Sequence, residues 1–128
     1  MLGYMKLTAT RSSFRPPHEG DMVRQSVTVK RDGHCWVSEY EWRDMDIRCS
    51  GTESFFISSE KAAEVLDAVE KVGWDSVVHI MDGGEFDLLK RYADGREERI
   101  YGNGLCTGGI SKFIREKLGR EDLLLFDC

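Results

Sequence analysis

The sequence predicts an α+β domain, a two-layer sandwich in which two helices cover one face of a mostly antiparallel sheet of about six strands. Short runs with a two-residue alternation, separated by glycine turns, predict the strands. Two segments with apolar residues at helical spacing predict the helices. The chain has 128 residues, of which 41% are apolar, and this suits a single domain over residues 1–128. The predicted order is β-β-β-β-α-β-β-β-α.

The first half of the chain predicts four strands. Residues 4–10 alternate, and residues 22–30 and 34–42 flank Asp32-Gly33, a pair typical of hairpin turns. Residues 44–46 predict a turn, and residues 47–57 a fourth strand interrupted at Gly51. The third strand has an aromatic face, which we expect to be the core face: Trp36, Ser38, Tyr40 and Trp42. Its other face is then expected to be open: Cys35, Val37, Glu39 and Glu41.

Two segments predict helices. In residues 59–72, Ser58 or Ser59 supplies the N-terminal cap, Glu60 suits the first turn, and Gly73 suits a left-handed C-terminal cap. Its apolar stripe is Ala62, Val65, Leu66 and Val69. The second helix is predicted for residues 109–118, with Gly119 ending it. Its stripe is Ile110, Phe113, Ile114 and Leu118.

The second half of the chain also predicts a three-stranded meander. Residues 76–81, 85–92 and 96–101 are the strands, and residues 82–84 and 93–95 are the turns. The apolar tail, residues 123–126, is either a last strand or a segment packed over the core.

Residues 87–104 read DLLKRYADGREERIYGNG, and a helix is expected around Phe113. A strand, an acidic-glycine turn, a further strand and Gly-Asn before a terminal helix resemble a family of small uncharacterised bacterial α+β domains. The similar region spans residues 87–118. The resemblance implies the fold, and it implies no catalytic residue.

Charge and composition exclude several function classes. The net charge is −5, from 23 acidic and 18 basic residues, which speaks against a nucleic-acid binder and a basic membrane-surface module. No apolar run is long enough to span a bilayer. The N-terminus has no secretory signal pattern, so a cytoplasmic location is expected.

The cysteines predict neither a metal site nor a cofactor. Structural zinc sites use closely spaced cysteine pairs, and the four cysteines are far apart: Cys35, Cys49, Cys106 and Cys128. In a reducing compartment most of them are expected to be buried thiols. In an exported protein three disulfide pairings would be open.

The glycine-rich segment at residues 102–109 is a candidate ligand site. A glycine loop before a helix can hold phosphate with its backbone N–H groups, and Gly104, Gly109 and Lys112 would then bind the ligand. The spacing matches neither the P-loop nor the dinucleotide-binding pattern. A flexible connection to the helix is the other interpretation.

Histidines and paired carboxylates offer weaker candidates for chemistry. His79 would be a base near Asp82 or a structural strand histidine. Glu39 and Glu41 share a strand face, which suits metal binding, acid–base chemistry or an ordinary solvent-facing strand.

Without a catalytic constellation, the sequence favours a non-enzymatic cytoplasmic domain. It would bind a protein partner, or form a homodimer, through an open sheet face carrying Val37, Glu39 and Glu41. One alternative is a small-ligand or phosphate-binding enzyme that uses the loop at residues 102–109. A second is an acidic inhibitor or immunity-type protein. No metal, cofactor, nucleic acid or membrane is expected as a partner.

Overall fold

The computed structural model describes residues 1–11, 16–72, 84–103 and 110–123. It confirms a small α+β fold, with a six-stranded open antiparallel sheet and two helices. The order across the sheet is β4-β3-β2-β1-β5-β6. In chain order the elements are β1 (Leu2–Thr10), β2 (Met22–Lys30), β3 (His34–Arg43), β4 (Asp46–Phe56), α1 (Ser59–Lys71), β5 (Glu85–Tyr92), β6 (Glu97–Asn103) and α2 (Ile110–Leu118).

Some predicted elements lie outside the described residues. They are the strand at residues 76–81, the cap at Gly73 and most of the tail at residues 123–126. Only Gly84 of the turn at residues 82–84 is described. Leu123, the first residue of the tail, is fully buried.

The predicted turns at Asp32-Gly33, residues 44–46 and residues 93–95 are confirmed, and positive φ angles mark them. Gly33 has φ +101°, and a Cβ there would lie 2.2 Å from the carbonyl oxygen of Ile57. Only glycine fits this position, because both the backbone conformation and the contact exclude a side chain. Asp44 and Met45 both have positive φ (51° and 62°), as a two-residue turn between antiparallel strands requires.

A bulge replaces the predicted interruption at Gly51. Glu39 pairs with Gly51 and Tyr40 with Cys49, so Ser50 is the extra residue of β4. The Ser50 hydroxyl donates a hydrogen bond to the Glu39 carbonyl oxygen at 3.1 Å. The bulge lets both arms of this long strand keep their pairing with β3.

The prediction of an aromatic core face on β3 is wrong. Cys35 and Val37 are buried, whereas Trp36, Tyr40 and Trp42 are only half-buried. The core face of the sheet is defined here by its buried apolar strand residues: Met5, Leu7, Ala9, Val27, Val29, Cys35, Val37, Phe86 and Leu88.

Strand pairing explains this reversal. Val37 lies opposite Val27, which lies opposite Leu7. Directly paired residues point to the same side of a sheet, so the apolar side of β1 and β2 determines which side of β3 is buried.

The two helices follow their predicted bounds closely. Ser58 is the N-cap of α1, and its hydroxyl accepts a hydrogen bond from the Lys61 N–H at 3.1 Å. Gly119, with φ +65°, follows the last residue of α2. The buried residues of both helices belong to the same apolar cluster as the core face: Ala62, Val65, Leu66, Val69, Ile110, Ile114 and Leu118. No helix within the described ranges is long and apolar enough to cross a membrane.

Candidate interaction face

The side of the sheet opposite the core face is called the outer face. The register places the following side chains there: Tyr4, Lys6, Thr8, Thr10, Arg24, Ser26, Thr28, Lys30, His34, Trp36, Ser38, Tyr40, Trp42, Ile47, Cys49, Thr52, Ser54, Phe56, Glu85, Asp87, Leu89, Arg91, Glu97, Arg99 and Tyr101. Most of them are half-buried or exposed. The outer face is therefore mixed in character, with aromatic, cationic and hydroxyl groups.

A stack of three rings occupies the β3–β4 end of the outer face. The His34 ring lies 3.7 Å from the Trp36 ring and 4.4 Å from the Phe56 ring, measured between centroids. The Nε2 atom of His34 is buried there without a hydrogen-bond partner. Phe56 is 71% exposed, so an apolar ring surface faces outward at this end.

Arginine side chains lie over the tyrosine rings of this face. The guanidinium carbons of Arg91, Arg24 and Arg99 lie 4.7, 5.8 and 5.5 Å from the ring centres of Tyr4, Tyr40 and Tyr101. Such cation–π contacts hold the guanidinium group in place at little entropic cost.

Two of these arginines also form ion pairs. Arg91 binds Glu97 at 2.9 Å, and Arg99 binds Asp87 at 3.0 Å. The hydrogen bonds that Arg99 donates to the Asp87 carboxylate raise the pKa of Arg99 above its usual value. Each of these two guanidinium groups therefore contacts both a tyrosine ring and a carboxylate.

Short hydroxyl side chains cross the middle of the outer face. Thr8, Ser26, Ser38 and Thr52 pair in succession across β1, β2, β3 and β4. The Ser38 and Thr52 hydroxyls lie 3.0 Å apart. The next rows along the strands carry longer side chains: Lys6 and Trp36 on one side, Arg24 and Tyr40 on the other. A row of short hydroxyl side chains therefore runs across four strands of the outer face.

Basic residues are in excess on this face. Within the described ranges, Lys6 and Lys30 form no ion pair. Arg24 donates a hydrogen bond to the Thr10 hydroxyl at 3.1 Å rather than to a carboxylate. The outer face therefore differs in charge from the whole chain, whose net charge is −5.

The predicted surface residues Val37, Glu39 and Glu41 lie on the other side of β3. Val37 is only 2% exposed, and both glutamates are half-buried. Val37 and Glu39 do border a cavity of about 310 Å³, which is also lined by Ser50, Gly51, Thr52, Glu53 and Arg120. Glu41 instead forms an ion pair with Arg43 at 2.5 Å. An interaction role for these three residues stays a prediction.

Arg120 is tied into the wall of this cavity. Its guanidinium donates hydrogen bonds to Glu53 at 2.7 Å and to Asp122 at 2.9 and 2.7 Å. The hydrogen bonds from Arg120 lower the pKa of Asp122 below its usual value. Because two carboxylates already occupy the guanidinium, we interpret Arg120 as a structural clamp between β4 and the segment after α2.

The other sequence candidates are not brought together in the described residues. Gly104, Gly109 and His79 lie outside those residues, and Lys112 is exposed on α2. No group of three potential metal ligands occurs in the described part of the chain. Cys35 is buried and Cys49 is exposed, whereas Cys106 and Cys128 lie outside the described residues.

The aromatic side of β3 is the feature that sequence reasoning assigned to the wrong face. The alternation of β1, with Met5, Leu7 and Ala9 on one side, was the signal that could have corrected it. Once β1 pairs with β2 and β2 with β3, only Cys35 and Val37 continue that apolar side.

Comparisons with known proteins give no match: no family model, no curated protein and no solved structure is significantly similar to this chain. A function is therefore inferred from the residues of the outer face.

Proposed function

We propose that this chain is a non-enzymatic binding domain that contacts a protein partner through the outer face. Both helices share one apolar cluster with the core face, and we place both of them on that side of the sheet. The outer face is then left for a partner. The observation that carries the proposal is the row of half-buried aromatic residues on the outer side of β3, next to cationic side chains.

The chemistry of the outer face suits recognition of a protein. Tryptophan, tyrosine and arginine are the residues most enriched among energetic hot spots of protein interfaces. Trp36 and Tyr40 offer ring surface beside Arg24, whose guanidinium lies over the Tyr40 ring. Rigid side chains lose little entropy on binding. The row of hydroxyl side chains across the strands would contact the polar groups of an extended segment of the partner.

The alternatives derived from the sequence stay predictions. A phosphate-binding enzyme would depend on Gly104, Gly109 and Lys112, and of these only the exposed Lys112 is described. An acidic inhibitor would present its acidic side to a basic partner, and the cation-rich outer face would then point away from that partner.

A photo-crosslinking experiment tests the proposal. Benzoylphenylalanine in place of Tyr40 is expected to capture a partner in cells that express the protein. The same group in place of Lys61, which is exposed on α1, serves as the matched control. We expect the Lys61 position to capture none of the proteins that the Tyr40 position captures.

Affinity measurements on the purified partner complete this test. We expect Trp36→Ala to weaken binding by about thirtyfold, as a hot-spot residue does, and Lys61→Ala to leave it unchanged. Circular dichroism verifies that each variant is folded. The proposal fails if the Tyr40 position captures no partner, or if Trp36→Ala and Lys61→Ala bind the captured partner equally well.

A further inference from the structure

Among the described residues, no strand pairs with the far edge of β4, and this edge is a second surface of the molecule, separate from the outer face. β4 is an 11-residue strand that pairs with β3 on one side and stands last in the strand order. All its residues are exposed except Ile47 and Phe55, which are half-buried. A long, exposed edge strand is a template for pairing with another chain.

The backbone groups that point away from this edge can be identified. Trp42 exchanges hydrogen bonds with residues 20 and 21 at 2.8 and 2.9 Å, so its paired residue Ile47 directs its own N–H outward. At the other end, the Ile57 N–H donates to the Gly33 carbonyl at 2.9 Å, so Phe56 directs its N–H outward. These directions alternate along a strand, and the bulge at Ser50 interrupts the alternation. Counting from Ile47 up to the bulge and from Phe56 back to it, Cys49, Thr52 and Ser54 share the outward direction.

We propose that two copies of this chain pair antiparallel along β4, with Cys49 of one protomer opposite the partner's Thr52. This register places Ser50 opposite the partner's Gly51, so the two bulges lie side by side across the two-fold axis. Outer-face residues then oppose outer-face residues on both arms of the strand. The N–H groups that point outward meet in hydrogen-bonded pairs, and the two six-stranded sheets become one continuous sheet.

Charge complementarity supports this register. It places Glu53 directly opposite the partner's Arg48, and symmetry creates the pair twice. Arg48 is exposed and has no ion pair within the described residues. Glu53 binds Arg120 through one carboxylate oxygen, and its other oxygen has no ion-pair partner within the described residues. Opposite charges directly across an antiparallel pair are stabilising, and like charges are destabilising.

Exposed apolar side chains support the same register. Met45 is 86% exposed and Phe56 is 71% exposed, and they are two of the four exposed large hydrophobic residues in the described chain. The register brings Met45 next to the partner's Phe56 at each end of the interface. Contacts between a methionine sulfur and an aromatic ring are favourable, so dimerisation would cover surface that a lone protomer exposes.

Neighbouring registers lose these contacts. Sliding by two residues in one direction places Glu53 opposite the partner's Asp46, which is a repulsion. Sliding the other way places Arg48 opposite the partner's Phe55, which leaves the cation without a carboxylate. The charges of β4 therefore favour this register over its two neighbours.

A charge-swap experiment tests the proposal. Sedimentation velocity from micromolar to millimolar concentration is expected to show a dimer of the unmodified chain. Arg48→Glu and Glu53→Arg are each expected to weaken dimerisation by about tenfold or more, because each places like charges opposite one another twice. The double variant is expected to dimerise nearly as well as the unmodified chain. Lys61→Glu, on the exposed side of α1, controls for net charge.

The double variant distinguishes loss of pairing between chains from loss of the ion pair between Glu53 and Arg120. That ion pair is lost both in Glu53→Arg and in the double variant, so its loss cannot explain a difference between them. Monomers at all concentrations would overturn the proposal, as would single variants that dimerise like Lys61→Glu or a double variant without recovery.

Should Glu53→Arg fail to fold, a second measurement decides. Arg48→Cys combined with Glu53→Cys is expected to form a disulfide between residue 48 of one protomer and residue 53 of its partner, identified by peptide mass mapping. Directly opposed residues in antiparallel strands lie within disulfide reach. The absence of that linkage under mild oxidation would also overturn the proposal.

Discussion

Cys35 and Cys49 show how strongly position determines the chemistry of a side chain in this fold. Cys35 is fully buried on the core face, and its thiol lies 3.5 Å from the Gly33 carbonyl oxygen. Burial raises the pKa of Cys35 to about 11, and the charge of Asp32 adds to this. Cys49 lies exposed on the edge strand β4. Because the thiolate is the reactive form, these two residues are expected to differ in reactivity.

Thiol labelling measures this difference. With iodoacetamide near neutral pH, we expect Cys49 to be modified in the native protein and Cys35 only after denaturation. A rise in pKa from 9.0 to about 11 leaves about a hundredfold less thiolate, and burial slows access further. Peptide mass mapping distinguishes labelling at Cys35 and Cys49 from labelling at Cys106 and Cys128. Equal labelling of Cys35 and Cys49 in the native protein would contradict the assignment of Cys35 to the core.

At the scale of elements, the local signals in the sequence predicted most of the described structure. Asp32-Gly33 predicted the first hairpin, and the apolar stripe of residues 59–72 predicted α1. These signals depend only on residues close together in the sequence, so they can be recognised without knowledge of the fold. The sequence left open whether Ser58 or Ser59 caps α1, and the hydrogen bond to the Lys61 N–H identifies Ser58.

The side of β3 that is buried could not be predicted from β3 alone. Both of its faces carry apolar groups, and aromatic residues are large enough to suggest a core. Pairing with β2 determines which side of β3 is buried, because Cys35 lies opposite Val29 and Val37 opposite Val27. The bulge at Ser50 and the central place of β1 depend on the same long-range pairing.

Two aspartate substitutions on adjacent residues of β3 test which face is buried. Val37→Asp would bury a carboxylate in the core and is expected to lower the free energy of unfolding by about 3 kcal/mol or more. Ser38→Asp, on the half-exposed outer side, is expected to change it by less than about 1 kcal/mol. Urea unfolding followed by circular dichroism gives both values. The opposite ranking would show that the faces are reversed.

At the scale of the whole molecule, the charge of the outer face differs from the net charge of the chain. The chain carries a net charge of −5, yet Lys6, Arg24 and Lys30 on the outer face have no carboxylate partner within the described residues. Net charge alone thus describes the outer face poorly. The proposed pairing along β4 would join two outer faces into one surface, because paired strands continue the same side of a sheet.

The most direct test of the account is whether the outer face is open in the free protein. Hydroxyl-radical footprinting of the whole chain measures this. Met45, 86% exposed, and Met5, fully buried, mark the upper and lower limits of oxidation within the same molecule. We expect Trp36, Tyr40 and Trp42 to be oxidised clearly above the level of Met5, as half-buried aromatic residues on an open face. Protection of all three to the level of Met5 would show that this face is covered, and it would contradict the proposed binding function.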